Sequence, residues 1–192
     1  LFFSADSSGR GNELWKSDGT KTGTVLVKDI NNATGNSFPS ELTNVNGTLF
    51  FQANDGIHGN ELWKSDGTEA GTDLVENIRV GNLGSNPSSL INVNGTLFFV
   101  AFNNGYQLWQ SDGTSIGTFS VHEGSYDFDA GYFESSGGLL YFQGNRNVGA
   151  ELWAFSPTNT PPSISPIADQ DTFKNNSIGP LSFSISDQVT PV

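Results

Sequence analysis

All four tryptophans of the chain fall at one position of a repeating unit. Glu13-Leu14-Trp15-Lys16-Ser17-Asp18-Gly19-Thr20 returns as Glu61-Leu62-Trp63-Lys64-Ser65-Asp66-Gly67-Thr68. A third copy reads Gln107-Leu108-Trp109-Gln110-Ser111-Asp112-Gly113-Thr114, and a fourth, Glu151-Leu152-Trp153-Ala154-Phe155, loses the Asp-Gly-Thr. Trp15, Trp63, Trp109 and Trp153 are roughly 44–48 residues apart, a period that marks repeated supersecondary units. Such a chain folds by stacking like on like.

Other segments keep the same step. Asn46-Gly47-Thr48-Leu49-Phe50-Phe51 matches Asn94-Gly95-Thr96-Leu97-Phe98-Phe99, and Gly137-Gly138-Leu139-Leu140-Tyr141-Phe142 is a looser copy. Gly23-Thr24-Val25-Leu26-Val27 matches Gly71-Thr72-Asp73-Leu74-Val75 and Gly117-Thr118-Phe119-Ser120-Val121. Each period holds four short runs of strand formers separated by turn residues. Asn-Gly between apolar runs predicts a two-residue hairpin, because both positions must tolerate positive φ. Asp-Gly-Thr before a second Gly-Thr predicts a longer loop in which the carboxylate accepts nearby backbone N–H groups. No apolar stripe of period 3.6 and helical length occurs, so the expected class is all-β.

Four strands per unit at this period predict blades of a β-propeller, with a parallel β-helix as the competitor. Apolar residues on both faces of Leu-Phe-Phe suit an inner strand held between neighbouring sheets. Tryptophan at one place in each unit would stack on the adjacent blade. The first unit lacks the strand before Leu1-Phe2-Phe3, and the last lacks a partner after Trp153. The expectation is therefore about fourteen strands, a propeller-like array of three and a half blades over residues 1–155. Both ends read as edges of a piece cut from a longer protein. Pro-rich residues 156–162 read as a linker. Residues 163–192 alternate apolar and polar residues, as two half-buried strands do.

The string Glu-Leu-Trp-x-x-Asp-Gly-Thr, followed by Gly-Thr and Asn-Gly-Thr-Leu-Phe-Phe, resembles the bacterial ELWxxDGT repeat family over residues 1–155. Residues 163–192 resemble the opening of an immunoglobulin-like or cadherin-like domain. The resemblance implies a large secreted or surface-exposed bacterial protein with a propeller-like repeat region. It carries over no catalytic residue, since the motif is structural.

Charge and composition narrow the function classes. Twenty acidic residues against eight basic give a net charge of -12, which argues against a nucleic-acid partner. No apolar run reaches the ~18–20 residues that span a bilayer, so membrane insertion is not expected. Cysteine is absent, which removes disulfides and thiolate chemistry. His58 and His122 lie at different repeat positions, and no nucleophile elbow, P-loop or zincin motif is present. Asp18, Asp66 and Asp112 recur with the repeat, which fits a loop-tying role better than a catalytic one. The hairpin-loop residues Asp6, Asn12, Glu13, Asp55, Asn60 and Glu61 are oxygen donors of the kind calcium takes, and they are the one candidate cofactor site.

The function expected is a non-catalytic extracellular or cell-surface module for adhesion, scaffolding or binding of a protein or glycan. Self-association through open sheet edges is a further expected partner mode. The alternatives are a fragment of a propeller hydrolase acting on polysaccharide, and a passive spacer.

Overall fold

The computed structural model describes residues 1–32, 34–121, 132–145 and 150–156. The Pro-rich stretch beyond Ser156 and the sandwich-like segment 163–192 lie outside them, as does His122. Every regular element among the described residues is a strand. Four antiparallel meanders follow one another. The first contains β1 (Phe2–Ser7), β2 (Gly11–Lys16) and β3 (Val25–Lys28). The second contains β4 (Ser40–Val45), β5 (Thr48–Asn54), β6 (Asn60–Ser65) and β7 (Thr72–Glu76). The third contains β8 (Ser88–Val93), β9 (Thr96–Phe102), β10 (Tyr106–Ser111) and β11 (Phe119–Ser120). The fourth contains β12 (Phe133–Ser136), β13 (Leu139–Asn145) and β14 (Ala150–Phe155). Among the described residues there are fourteen strands, and the three-stranded sheets come first and last. Among the described residues no sheet closes on itself.

Register repeats from sheet to sheet. Phe3 faces Trp15, Phe51 faces Trp63, Phe99 faces Trp109 and Phe142 faces Trp153. The turns are the ones the sequence predicts. Asn46 (φ 52) and Gly47 (φ 91), like Asn94 (φ 51) and Gly95 (φ 88), place both central residues in the left-handed region that a two-residue hairpin requires. Bulges recur as well: β4 slips between Ser40 and Thr43, and β8 between Ser88 and Ile91, with Glu41 (φ 59) and Ser89 (φ 54) absorbing the kink.

The core lies between sheets. Strand alternation sends neighbouring side chains to opposite faces. Leu14 and Val27 of the first sheet, with Ile30 of the connection after it, therefore meet Leu49, Phe51, Ala53 and Trp63 of the second. Phe50, Leu62 and Val75 of the second meet Leu97, Phe99 and Trp109 of the third. Phe98, Val100 and Leu108 of the third meet Leu140, Phe142, Trp153 and Phe155 of the fourth. The Leu-Trp pair is thus divided: leucine faces the following sheet and tryptophan the preceding one. Trp63, Trp109 and Trp153 are buried between consecutive sheets. Trp15 is only half-buried, because no described sheet covers its face. Each fully buried aromatic contributes about 1.5–3 kcal/mol relative to exposure.

The array has two unlike rims. One carries the Asn-Gly turns and the Asp-Gly-Thr loops, and it is tied across sheets. Lys16 Nζ donates to the Gly67 carbonyl and Lys64 Nζ to the Gly113 carbonyl, each at 2.7 Å. Asn94 Nδ2 reaches the Gly138 carbonyl at 3.3 Å. The opposite rim carries the β1–β2, β5–β6 and β9–β10 hairpins and the sheet-to-sheet connections.

On this second rim Phe38 has φ 46 and its repeat counterpart Asn86 has φ 50, each just before a proline. Asparagine tolerates this conformation and phenylalanine does not. Phe38 is 61% exposed, so its ring contributes little burial. Phe38→Asn is therefore expected to stabilise the chain by about 1 kcal/mol, seen as a rise of roughly 2–4 °C in Tm. A fall in Tm would contradict the strain assigned to this residue.

Candidate functional site

Two polar clusters recur with the repeat, and both begin in the motif around the tryptophan. The first is built on glutamate. Glu61 lies on β6 one residue from Asn60, so the two side chains leave opposite faces of the sheet. Its carboxylate is completely buried beneath the connection to the third sheet. Oε1 accepts the N–H groups of Arg79 (3.1 Å) and Ser85 (3.0 Å). Oε2 accepts the Ile78 N–H (3.2 Å) and the Ser85 hydroxyl (2.5 Å). Glu13 repeats the arrangement one sheet earlier, taking the Ile30 N–H (2.8 Å), the Ser37 N–H (3.1 Å) and the Ser37 hydroxyl (2.6 Å). Burial pushes both carboxyls above the ordinary glutamate value, against these hydrogen bonds, which pull them down.

The six oxygen donors proposed from the sequence are thereby separated. Glu13 and Glu61 serve as anchors for the sheet-to-sheet connections. Asp6 is exposed on β1 opposite Asn12. Asn12 receives the Ser4 hydroxyl on its side chain, and its carbonyl accepts Ser37 and Phe38. Asn60 donates to the Asn86 side chain at 3.0 Å. Asp55 holds its own hairpin: Oδ1 accepts the N–H groups of Ile57 (2.9 Å) and His58 (2.8 Å), and Oδ2 meets His58 Nδ1 at 2.6 Å. Burial raises the Asp55 carboxyl, but the His58 N–H and ring and the Ile57 N–H outweigh it and leave the value lowered. Among the described residues, no three His, Cys, Asp or Glu side chains gather as a cation cage.

The second cluster is the Asp-Gly-Thr loop, repeated in three sheets. Asp66 Oδ1 accepts the N–H and the hydroxyl of Thr68 (2.8 and 2.7 Å). The Thr68 hydroxyl oxygen accepts the Gly71 N–H, and the Thr68 carbonyl accepts the Thr72 hydroxyl. The Ser65 and Thr72 hydroxyls close the loop at 2.7 Å. Asp18 and Asp112 carry the same pattern on Thr20 and Thr114. The second glycine of each loop is required by space: a Cβ on Gly23, Gly71 or Gly117 would lie 2.0, 2.2 or 2.1 Å from the aspartate carboxyl group. All three carboxyls are held below the ordinary aspartate value. The main cause is the Thr20 N–H at Asp18 and the threonine hydroxyl at Asp66 and Asp112. In each loop the carboxylate is held by the N–H and hydroxyl of the threonine two residues on.

The connection rim is where the repeats differ. At one register position near its hairpins the cross-strand pair is Asp6 with Asn12 in the first sheet and Asn54 with Asn60 in the second. In the third it becomes Phe102 with Tyr106, an edge-on aromatic pair 5.3 Å apart with Arg79 4.7 Å over the Phe102 ring. Tyr106, Ile57, Val80, Leu83 and Phe38 are all exposed on this rim. The sequence reading missed both the glutamate anchors and this aromatic pair. Matching Ser37 and Ser85, each 24 residues after its glutamate, were the available signal for the anchors.

No protein-family model, curated protein or solved structure matches the chain.

Replacing Glu61 tests the anchor. Glu61→Gln turns one acceptor oxygen toward its donors as an NH2 group and should cost about 1–3 kcal/mol. Glu61→Ala leaves all four donors unmet and should cost more, about 3 kcal/mol or above. Denaturant melts at pH 7 report both, and equal costs for the two variants would contradict the anchor role.

The aspartates set a pH dependence. A carboxyl depressed by folding adds stability above its unfolded value and loses it as pH falls through its folded value. The variant with Asp18, Asp66 and Asp112 all changed to Asn should therefore lose less Tm than the parent between pH 5 and pH 3, about the range over which unfolded carboxyls titrate. Parallel Tm profiles would refute the assignment.

Proposed function

We propose that the chain is a non-catalytic, extracellular repeat module, propeller-like in arrangement, that presents ligand-binding loops on a rigid β frame. The observation that carries this reading is the contrast between its rims. The turn rim is built from the same Ser-Asp-Gly-Thr hydrogen bonds in three sheets, with lysine and asparagine ties between sheets. The connection rim varies, and there exposed Phe38, Ile57, Val80, Leu83 and Tyr106 stand on well-tied backbone. Binding residues concentrate on loops held by a rigid scaffold.

The recurring carboxylates support the non-catalytic reading. Glu13, Glu61, Asp18, Asp66 and Asp112 are engaged by the backbone or hydroxyls of their own chain. Propeller-like arrangement is supported by the succession of first strands, since β4 lies beside β8 and β8 beside β12 on one side of the array. An extracellular setting rests on the resemblance of the repeats to those of secreted bacterial proteins. The partner is a protein or glycan, and exposed Tyr106, set edge-on against half-buried Phe102, is the feature a sugar face would stack on.

A glycan array and a panel of chromogenic glycosides test this together. Binding without turnover is expected, weakened roughly tenfold or more by Tyr106→Ala, about 1.4 kcal/mol. Turnover of any glycoside would favour the hydrolase reading. Retention of all binding in a variant with Phe38, Ile57 and Tyr106 changed to serine would move the site off this rim.

A further inference from the structure

Three Asn-Gly pairs occur in the chain: Asn46-Gly47, Asn94-Gly95 and Asn104-Gly105. The dipeptide is chemically labile, because glycine has no Cβ to shield its backbone nitrogen. That nitrogen can attack the asparagine Cγ, closing a succinimide ring and expelling ammonia. Water then opens the ring at either carbonyl, leaving aspartate or isoaspartate. The reaction needs a glycine N–H free to give its proton to solvent base. It also needs an asparagine side chain free to fold back over its own backbone. In each pair the asparagine is exposed and left-handed, at φ 52, 51 and 58 in chain order. Neither exposure nor backbone conformation separates the three.

Hydrogen bonding does. The Gly47 N–H donates to Asn44 Oδ1 at 3.2 Å and the Gly95 N–H to Asn92 Oδ1 at 2.9 Å. Asn92 is held in turn by its Nδ2, which donates to the Asn44 carbonyl at 3.2 Å. The side chains under attack are also drawn away from their own backbone. Asn46 Nδ2 reaches the Gly95 carbonyl at 3.5 Å and Asn94 Nδ2 the Gly138 carbonyl at 3.3 Å, each on the following sheet. They sit so close over those turns that a Cβ on Gly95 or Gly138 would lie 2.6 or 2.7 Å from the amide nitrogen. Attacking nitrogen and attacked amide are both engaged.

Asn104 has neither restraint. Asn103, Asn104 and Gly105 join β9 to β10 beyond the Phe102–Tyr106 pair. The hydrogen bond across this tip runs from the Asn103 N–H to the Gly105 carbonyl at 2.9 Å. Among the described residues, the Gly105 N–H has no acceptor and the Asn104 side chain no hydrogen-bond partner.

We propose that Asn104 is a site of spontaneous deamidation in the folded chain, and that Asn44, Asn92 and the amide ties between sheets hold Asn46 and Asn94 back. The products are aspartate and isoaspartate at position 104. Either adds a negative charge two residues from Tyr106, and isoaspartate also lengthens the hairpin tip by a main-chain methylene. The rim so altered is the one read above as the binding surface, but the chemistry is independent of that reading.

Peptide mapping by mass spectrometry tests this on the full chain held at mildly alkaline pH, with electron-transfer fragmentation to tell aspartate from isoaspartate. Position 104 should gain the mass of amide-to-acid conversion first. Positions 46 and 94 must break their ties before reacting, so they should lag by roughly tenfold or more. In guanidinium chloride the three rates should converge. Asn92→Ala frees the Gly95 N–H and should speed conversion at position 94 by roughly tenfold, with position 104 unchanged. Asn92→Asp keeps an acceptor oxygen and should leave position 94 slow. Conversion of position 46 or 94 as fast as position 104 in the native chain would overturn the proposal. So would a position 104 that reacts in guanidinium chloride but not in the native chain.

Discussion

Strands with large apolar residues on both faces are the constraint from which the rest of this structure follows. β5 sends Phe50 toward the third sheet and Phe51 toward the first, and β9 sends Phe98 toward the fourth and Phe99 toward the second. A strand of this kind cannot sit with one face in water, so each sheet demands a neighbour on either side. The leucine and tryptophan of the next strand follow the same rule and complete the two cores. Stability is thereby distributed over interfaces between like units, as in repeat proteins generally. The recurring register, bulge and turn keep those interfaces equivalent.

Stacking alone would leave the long connections between sheets with unmet backbone donors. The buried glutamates answer this. Removing a carboxylate from water is costly, and burial raises Glu13 and Glu61 accordingly. Several donors converge on each, so the charge is placed where the backbone most needs an acceptor. The two carboxylate classes act with opposite sign on acid stability. The depressed aspartates lose their contribution as pH falls through their folded values, while the raised glutamates take up protons more readily folded than unfolded and oppose acid unfolding.

Much of this was legible in the sequence because it is local or periodic. Asn46-Gly47 specifies its own turn, Asp66-Gly67-Thr68 its own loop, and the tryptophan period the sheet count. What was not legible depends on which face a side chain takes and what lies far along the chain. Asn12 and Glu13 are neighbours in sequence and look like joint ligands, yet the pleat turns one to the rim and the other into the interior. The partner of Glu13, Ser37, belongs to a connection whose path is set by tertiary packing. Phe38 likewise holds a left-handed conformation that its side chain does not favour, because the chain must turn there as it does at Asn86.

The two outer faces of the array are chemically different, and this gives the stack a direction. The face of the first sheet that carries Phe3, Trp15 and Leu26 is of the same kind as the buried face of Phe51, Trp63 and Leu74. The outer face of the fourth sheet departs from its counterpart in the third. By register, Glu134, Ser136, Tyr141, Gln143 and Leu152 occupy the places of Ile91, Val93, Phe98, Val100 and Leu108. Three aliphatic positions have become polar and a phenylalanine has gained a hydroxyl, with Leu152 left 47% exposed as the single aliphatic remnant. Polar outer faces are how repeat arrays terminate in water. Among the described residues, the apolar stacking pattern therefore continues onto the tryptophan face of β1–β3 and changes character on the outer face of β12–β14.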